Sequence, residues 1–378
     1  MKIVFAVAAG FIYKIYYGGG DTLTFYKGAI SLNQYLNDGL FVYLNHLIDP
    51  INYGNLTEPR TEFFIRMVSV VSLFSFENYW IISIYFSVLS FLCCWVLFVD
   101  LIKDKDFFKP AIMATLLLPS VLFWSSGLLK ETVALMGIMM ICWALIPFIN
   151  KKRIPTFRVV LAVIGFYIIY SLKYYYAATI ALVLFPLIVS LIVKRSFPKK
   201  QIVRVYGVYL ISFLAPLAVI NYMHYNFHYS RILTVIVDNF LLYGQNSESF
   251  NQISYNGLEP TLASIGINFP YAVFGALFRP LPWESWNFIS FLISMENLIL
   301  LALFIYSLYH WKHFLKYDSL ILITALIFVI ITSGALALST PNFGTLSRYT
   351  SLLKPILVLV IMHYGNVYQE LSHQLRRF

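Results

Sequence analysis

Ten apolar runs of helical length recur along this 378-residue chain, at 3–17, 80–102, 111–124, 132–149, 159–172, 175–193, 205–222, 286–309, 320–338 and 352–364. Inside hydrocarbon every backbone N–H and C=O must find its partner within the protein, so only helices and closed barrels can span it. The runs are continuous rather than alternating segments of ~10 residues, which excludes an outer-membrane barrel. Composition points the same way: 60% of residues are hydrophobic and 12% charged, half the roughly 25% charge of a soluble domain. A cytosolic globular enzyme, a disordered chain and a coiled coil are excluded on that ground. The expected fold is all-α, a polytopic transmembrane helical bundle of about ten spans with interfacial helices in the extracytoplasmic loops, forming one integral-membrane domain over 1–378.

The positions of the charges set an orientation. The net charge is +10, and 17 of the 27 basic residues fall at Lys2, Lys103, Lys105, Lys109, Lys151, Lys152, Arg153, Arg158, Lys194, Arg195, Lys199, Lys200, Arg204, Lys312, Lys316, Arg376 and Arg377. With one crossing per run these all share one side, which the positive-inside rule makes the cytoplasm. The opposite side and its membrane edge receive nine basic residues and 12 of the 17 acids, and Lys14 lies inside the first run. Both termini are therefore expected inside, and the basic surplus reads as a topological signal rather than a nucleic-acid surface. Cys93, Cys94 and Cys142 sit in apolar runs and read as packing residues. Residues 1–17 lack a small-residue cleavage site before the glycines, so no cleaved signal peptide is expected.

The stretch 159–193 is broken only by Ser-Leu-Lys-Tyr at 171–174. One helix of that length would measure about 50 Å against a hydrocarbon core of about 30 Å. Two short spans turning at Lys173 are expected instead. The polar segments left outside are a first loop at 18–79, a long loop at 224–284 and a short one at 339–348.

Four polar groupings stand out, three of them in those segments. Gly18-Gly19-Gly20-Asp21-Thr22 follows the first run; the glycines allow a tight turn, and Asp21 is the first carboxylate beyond it, either a functional acid or the cap of an interfacial helix. In Pro119–Glu131 the Ser125-Ser126-Gly127 break comes about 22 Å after Pro110, which places Lys130 and Glu131 at membrane depth. Charges at that depth normally line a cavity, although a snorkelling lysine beside a capping glutamate would look alike. Arg348 follows Asn342-Phe343-Gly344-Thr345-Leu346-Ser347, where a guanidinium suits a phosphate oxygen pair, or an interfacial aromatic belt. Arg279 and Glu284 bracket Pro280-Leu281-Pro282-Trp283, with Trp286 just beyond. Glu296 and Asn297 lie inside a run and require partners.

Two weaker signals remain. His224 and His228 are spaced as half of a metal site with no third ligand nearby, and Asn55-Leu56-Thr57 matches a glycosylation acceptor. No phosphate-binding glycine loop, nucleophile elbow or nucleotide-binding pattern is present.

A short first span, Asp21 at the very start of a long outer loop, and the outer-side stretches 119–131 and 342–349 together resemble the GT-C superfamily. These polytopic glycosyltransferases take sugars from polyprenyl-phosphate donors. The two stretches also resemble segments of bacterial multi-spanning proteins of surface-polysaccharide assembly. The resemblance implies a multi-pass protein of the bacterial cytoplasmic (inner) membrane in which Asp21 is the catalytic base, removing a proton from an acceptor hydroxyl. It further implies that Lys130, Arg279 and Arg348 hold the lipid phosphate, with Glu131, Lys173 and Glu284 in the same substrate-binding set. The partners it implies are a polyprenyl-phosphate-linked sugar, a glycan or lipid acceptor and membrane lipids, with no nucleic acid. It implies no organic cofactor and leaves a divalent cation open. The chain departs from the family's pattern in having one Asp where many members show an acidic pair, and in lacking a soluble C-terminal domain. Two other readings of the same features are a polysaccharide polymerase or ligase using diphosphate-linked glycans, and a non-enzymatic lipid-glycan transporter or envelope-complex subunit.

Overall fold

The computed structural model describes residues 1–16, 18–48, 58–196, 202–223, 225, 228–245, 251–284, 287–310, 312, 314, 319–365 and 367. Asn55, His224, Trp286, Lys199, Lys200, Lys316, Arg376 and Arg377 lie outside the described residues. The helices in chain order are α1 Lys2–Phe11, α2 Asp21–Asn33, α3 Leu40–Ile48, α4 Pro59–Leu73, α5 Tyr79–Leu101, α6 Phe108–Ile112, α7 Pro119–Trp124, α8 Lys130–Ile149 and α9 Thr156–Leu172. They continue with α10 Tyr174–Ser196, α11 Ile202–Met223, α12 Tyr229–Gln245, α13 Leu262–Phe278, α14 Phe288–Tyr309, α15 Ser319–Ser339, α16 Phe343–Thr350 and α17 Lys354–Leu359. Among the described residues the only pairing of extended backbone is an isolated antiparallel bridge between Gln252 and Asn342.

Six helices are long and apolar enough to cross a membrane, namely α5, α8, α10, α11, α14 and α15, and the pair Phe343–Thr350 and Lys354–Tyr364, bent by 64°, makes a seventh if counted as one span. The ten runs do not each give a full-length helix, for local reasons. The run at 111–124 breaks at Leu118, which is extended (ψ 116°) before Pro119, as a residue preceding proline must be. The run at 159–193 divides at Lys173 (φ −143°, ψ 64°) into α9 and α10, as its length required. Conversely, α13 is an apolar helix inside the segment that reads as a long loop; Asn268 and Pro270 interrupt its pattern.

The chain forms two compact units, Met1–Asp104 with Thr115–Ala177, and Lys105–Ala114 with Ala178–Phe378. In the first unit, α1 runs antiparallel to α5. The Lys2 ammonium bonds Ser90, while the Phe11 and Trp80 rings meet at 4.9 Å. Ser90 lies eleven residues into α5, so α1 begins about 16 Å along it rather than at its far end. α8 and α9 pack at a glycine crossing: a Cβ on Gly137 would sit 2.6 Å from the Gly165 carbonyl oxygen. Their other ends are joined by Arg158, which donates to Asp100 and to the Trp143 carbonyl and stacks over the Trp143 ring. A core of Phe25, Phe64, Ile82, Phe86, Leu128 and Val133 fills the space among α2, α4, α5 and α8. Above it Asn33 organises a buried polar network. Its amide donates to Ser72 (2.7 Å) and Glu77 (2.9 Å), and its carbonyl accepts from Ser69 (2.6 Å), itself bonded to Tyr43 of α3.

In the second unit α15 is central. Thr324 bonds Tyr209 of α11 at 3.1 Å and Thr332 bonds Thr179 of α10 at 3.0 Å. Phe269 of α13 packs against Gly334. The Gln252–Asn342 bridge, with Ile253 N–H donating to the Pro341 carbonyl at 2.9 Å, fastens the segment before α13 to the start of α16.

Candidate functional site

The break between α7 and α8 presents the first grouping. Ser125 and Ser126 turn their hydroxyls back onto the carbonyls of Val121 and Leu122, closing α7. Gly127 then adopts a left-handed φ of +79° against Ala6 and Ala9 of α1. Its N–H donates to Ser87 Oγ of α5 at 2.7 Å, and its carbonyl accepts from Thr132. α8 therefore starts at Lys130 beside Ser87, eight residues or about 12 Å along α5 from Tyr79. Gly127, three residues before Lys130, thus sits partway along a helix of membrane-spanning length. The residue capping α8 is Leu129, without a side-chain bond, so neither Ser126 nor Gly127 is the cap.

Lys130 donates to Thr61 Oγ1 at 2.7 Å, and its ammonium lies 5.1 Å from the Phe25 ring centre. Glu131 points the other way, as neighbours on a helix do, and pairs with Lys173 at 2.7 Å. Glu131 is 0% and Lys173 4% exposed. The α9–α10 break thus lies level with the start of α8, with its lysine turned inward on the glutamate. Asp21, Glu58, Glu131 and Lys173 are all close enough to act on the Lys130 charge. Asp21 itself is exposed and is the first residue of α2. Gly20, at φ +118°, occupies the cap position, so Asp21 is not the cap. Asp21, Lys130, Glu131 and Lys173 form one electrostatic cluster in the first unit.

The sequence reading missed two members of this neighbourhood. Arg60 pairs with Glu58 at 3.1 Å and lies over the Tyr174 ring at 5.3 Å, and Thr61 is the Lys130 acceptor. Both follow Pro59 at the start of α4, and only the fold brings them to Lys130. Lys2, counted among the surface lysines from sequence, is 5% exposed. It donates to Ser90 Oγ (2.7 Å), the Ser125 carbonyl (2.9 Å) and Ser125 Oγ (2.7 Å).

The second unit holds a separate polar grouping. Arg279 donates to Glu284 through Nε at 2.8 Å and through Nη2, and to the Tyr271 hydroxyl; it lies over the Phe343 ring at 5.0 Å. Burial opposes its charge, but Glu284 and Tyr271 outweigh burial and raise its pKa above the ordinary value. Glu284 also accepts from the Leu281 N–H at 2.7 Å, closing the 279–284 turn. Glu296 and Asn297 find the partner they require in Lys354, at 2.8 and 3.0 Å. The Asn297 amide donates onward to the Pro280 carbonyl at 3.2 Å. Arg348 lies half-buried on α16, which Asn342 caps through the Thr345 N–H. His228 precedes α12, and no group of three His, Cys, Asp or Glu able to hold a metal occurs among the described residues. No protein-family model, curated protein or solved structure matches this chain.

Proposed function

We propose that this protein is a glycosyltransferase of the bacterial cytoplasmic membrane that moves a sugar from a polyprenyl-phosphate-linked donor to a glycan or lipid acceptor on the extracytoplasmic side. The observation that carries the reading is an exposed carboxylate, Asp21, at the start of α2, the helix whose Phe25 ring lies 5.1 Å from the Lys130 ammonium, which the reading places at membrane depth. A lipid phosphate and the hydroxyl of a soluble or lipid acceptor meet at that depth. In the proposed step Asp21 takes the acceptor hydroxyl's proton as its oxygen bonds to the anomeric carbon. The bond from that carbon to the phosphate oxygen breaks, and the departing polyprenyl phosphate carries the negative charge that Lys130 stabilises. Glu131 is matched by Lys173, which leaves the Lys130 charge to act on the phosphate.

The test is transfer by purified protein in lipid nanodiscs, offered a polyprenyl monophosphate sugar or a polyprenyl diphosphate oligosaccharide. Turnover of the monophosphate donor that collapses in Lys130→Met supports the reading, and use of the diphosphate donor alone replaces it with a polymerase or ligase. One observation favours a transporter instead: each unit holds a buried Lys–Glu pair at an interrupted helix, Glu131–Lys173 and Glu296–Lys354, and discontinuous helices carry the sites of many transporters. Flipping of a fluorescent lipid-linked glycan in sealed vesicles, without a covalent product, is the outcome that reading requires.

A further inference from the structure

We infer that Lys2 is a positioning residue for the Lys130 site: its ammonium, buried halfway along α5, fixes the Ser125–Leu129 break from which Lys130 projects. Three observations carry this. First, the ammonium has three N–H donors and meets three acceptors, Ser90 Oγ, Ser125 O and Ser125 Oγ. Two of these belong to the first residue of the break and the third to α5, which supplies Ser87 to the Gly127 N–H. The break is therefore bonded to one helix at two levels three residues apart, and Lys2 makes the deeper attachment.

Second, the helix that carries Lys2 is also the floor of the break. Ala6, one turn after Lys2, and Ala9 face Gly127, whose Cβ position would lie 3.6 Å from the Ala6 carbonyl oxygen. Anchoring Lys2 sets how far α1 advances along α5, and so where Ala6 and Ala9 support the glycine. Third, the path from the break to Lys130 is short and has little slack. Leu128 and Leu129 are 1% and 0% exposed, and Thr132 returns a bond to the Gly127 carbonyl.

An ordinary structural lysine would not be expected here. Burying an ammonium at this depth costs several kcal/mol even when it is well bonded, and a methionine would fill the same space at no such cost. Ser125 Oγ keeps its own bond to the Val121 carbonyl without Lys2, whereas the Ser90 hydroxyl and the Ser125 carbonyl both depend on the ammonium as donor. A residue that is costly to bury and joins three acceptors on α5 and at the break points to the geometry it imposes. That geometry is delivered to Lys130, five residues beyond Ser125.

The inference rests in part on the proposed role of Lys130, so the experiment reads the geometry and the ligand separately. In a background with Cys93, Cys94 and Cys142 replaced by Ala, a cysteine probe is placed by Lys130→Cys, and its labelling rate by a membrane-impermeant maleimide is compared with and without Lys2→Met. Binding of a polyprenyl monophosphate to the otherwise native protein in nanodiscs is measured for wild type, Lys2→Met and Lys2→Arg, alongside thermal midpoints. The inference expects Lys2→Met to stay folded, to change the labelling rate by about tenfold, and to weaken lipid-phosphate binding by about tenfold or more, within the roughly 10²-fold that misplacement on the order of 1 Å can cost. Lys2→Arg, which retains a donor group, should recover part of both. An unchanged labelling rate in a folded Lys2→Met protein overturns the inference, as does a lowered midpoint with labelling and binding unaltered. If wild type itself shows no affinity for the lipid phosphate while labelling still depends on Lys2, the proposed function fails and the positioning role stands.

Discussion

Replacing Lys173 by Met leaves the Glu131 carboxylate in a site that is 0% exposed, facing the vacated end of a 2.7 Å ion pair. At an effective dielectric constant of about 20, two unit charges at that separation attract by about 6 kcal/mol. Desolvation of both groups offsets most of this, so the pair as a whole contributes little net stability. Removing one partner is different, because the other stays buried after losing its opposite charge, at a cost of about 3–5 kcal/mol. The structure therefore predicts a strongly non-additive cycle. Lys173→Met and Glu131→Gln should each destabilise by about 3–5 kcal/mol, and the double variant should return to within ~1 kcal/mol of wild type. The assay is equilibrium unfolding of the purified protein in detergent micelles, followed by tryptophan fluorescence. Additive single effects, or singles within ~1 kcal/mol of wild type, would refute the buried-pair geometry and with it the depth assigned to the α9–α10 break.

Other perturbations follow from the same coordinates. Lys354→Met should destabilise by about 3–5 kcal/mol by stranding Glu296, and Lys354→Met with Glu296→Gln should recover most of that in the same unfolding assay. Gly165→Leu drives a side chain toward the Gly137 backbone, where a Cβ already comes within 2.8 Å of the carbonyl oxygen. A loss of about 1–3 kcal/mol is expected, read as a lowered thermal midpoint. Asn33→Ala removes the hub that joins α2 to Ser69 and Ser72 of α4 and to Glu77, and through Ser69 to Tyr43 of α3. It should cost about 1–3 kcal/mol and speed amide exchange in α3, measured by hydrogen–deuterium exchange.

The all-helical character, with helices long and apolar enough to cross a membrane, was legible because charge is scarce along runs long enough to span lipid. The Lys173 break was legible for the same kind of reason, since no single helix of that length fits a bilayer. Span count was not, because it depends on where a helix starts relative to its neighbours. Lys2 looks like a cytoplasmic anchor in sequence but lies beside Ser90, and nothing local announces that α1 begins halfway along α5. Asn268 and Pro270 hid α13 inside a loop. At the candidate site, the Ser125-Ser126-Gly127 break before Lys130 and Glu131 was legible, whereas the count from Pro110 took no account of the break at Leu118. The need of Glu296 for a partner was likewise visible, because a lone carboxylate in a span is costly. Which base would meet which acid was not readable: Lys173 is 42 positions from Glu131, and Lys354 is 58 from Glu296. Pairings across that separation are decided by packing, here by the glycine crossing of α8 and α9 and by the bend before α17. Arg60 and Thr61 carried no motif and join Lys130 only because α4 packs beside α2.

The central claim is that Asp21 removes a proton during sugar transfer, and its most direct measurement is single-turnover transfer from a polyprenyl-phosphate sugar by nanodisc-embedded wild type, Asp21→Asn and Asp21→Glu. The account predicts that Asp21→Asn folds and binds donor normally but loses about 10²–10⁴-fold in the rate of product formation, with Asp21→Glu retaining part of it. Asp21→Asn transferring sugar at the wild-type rate would contradict the account.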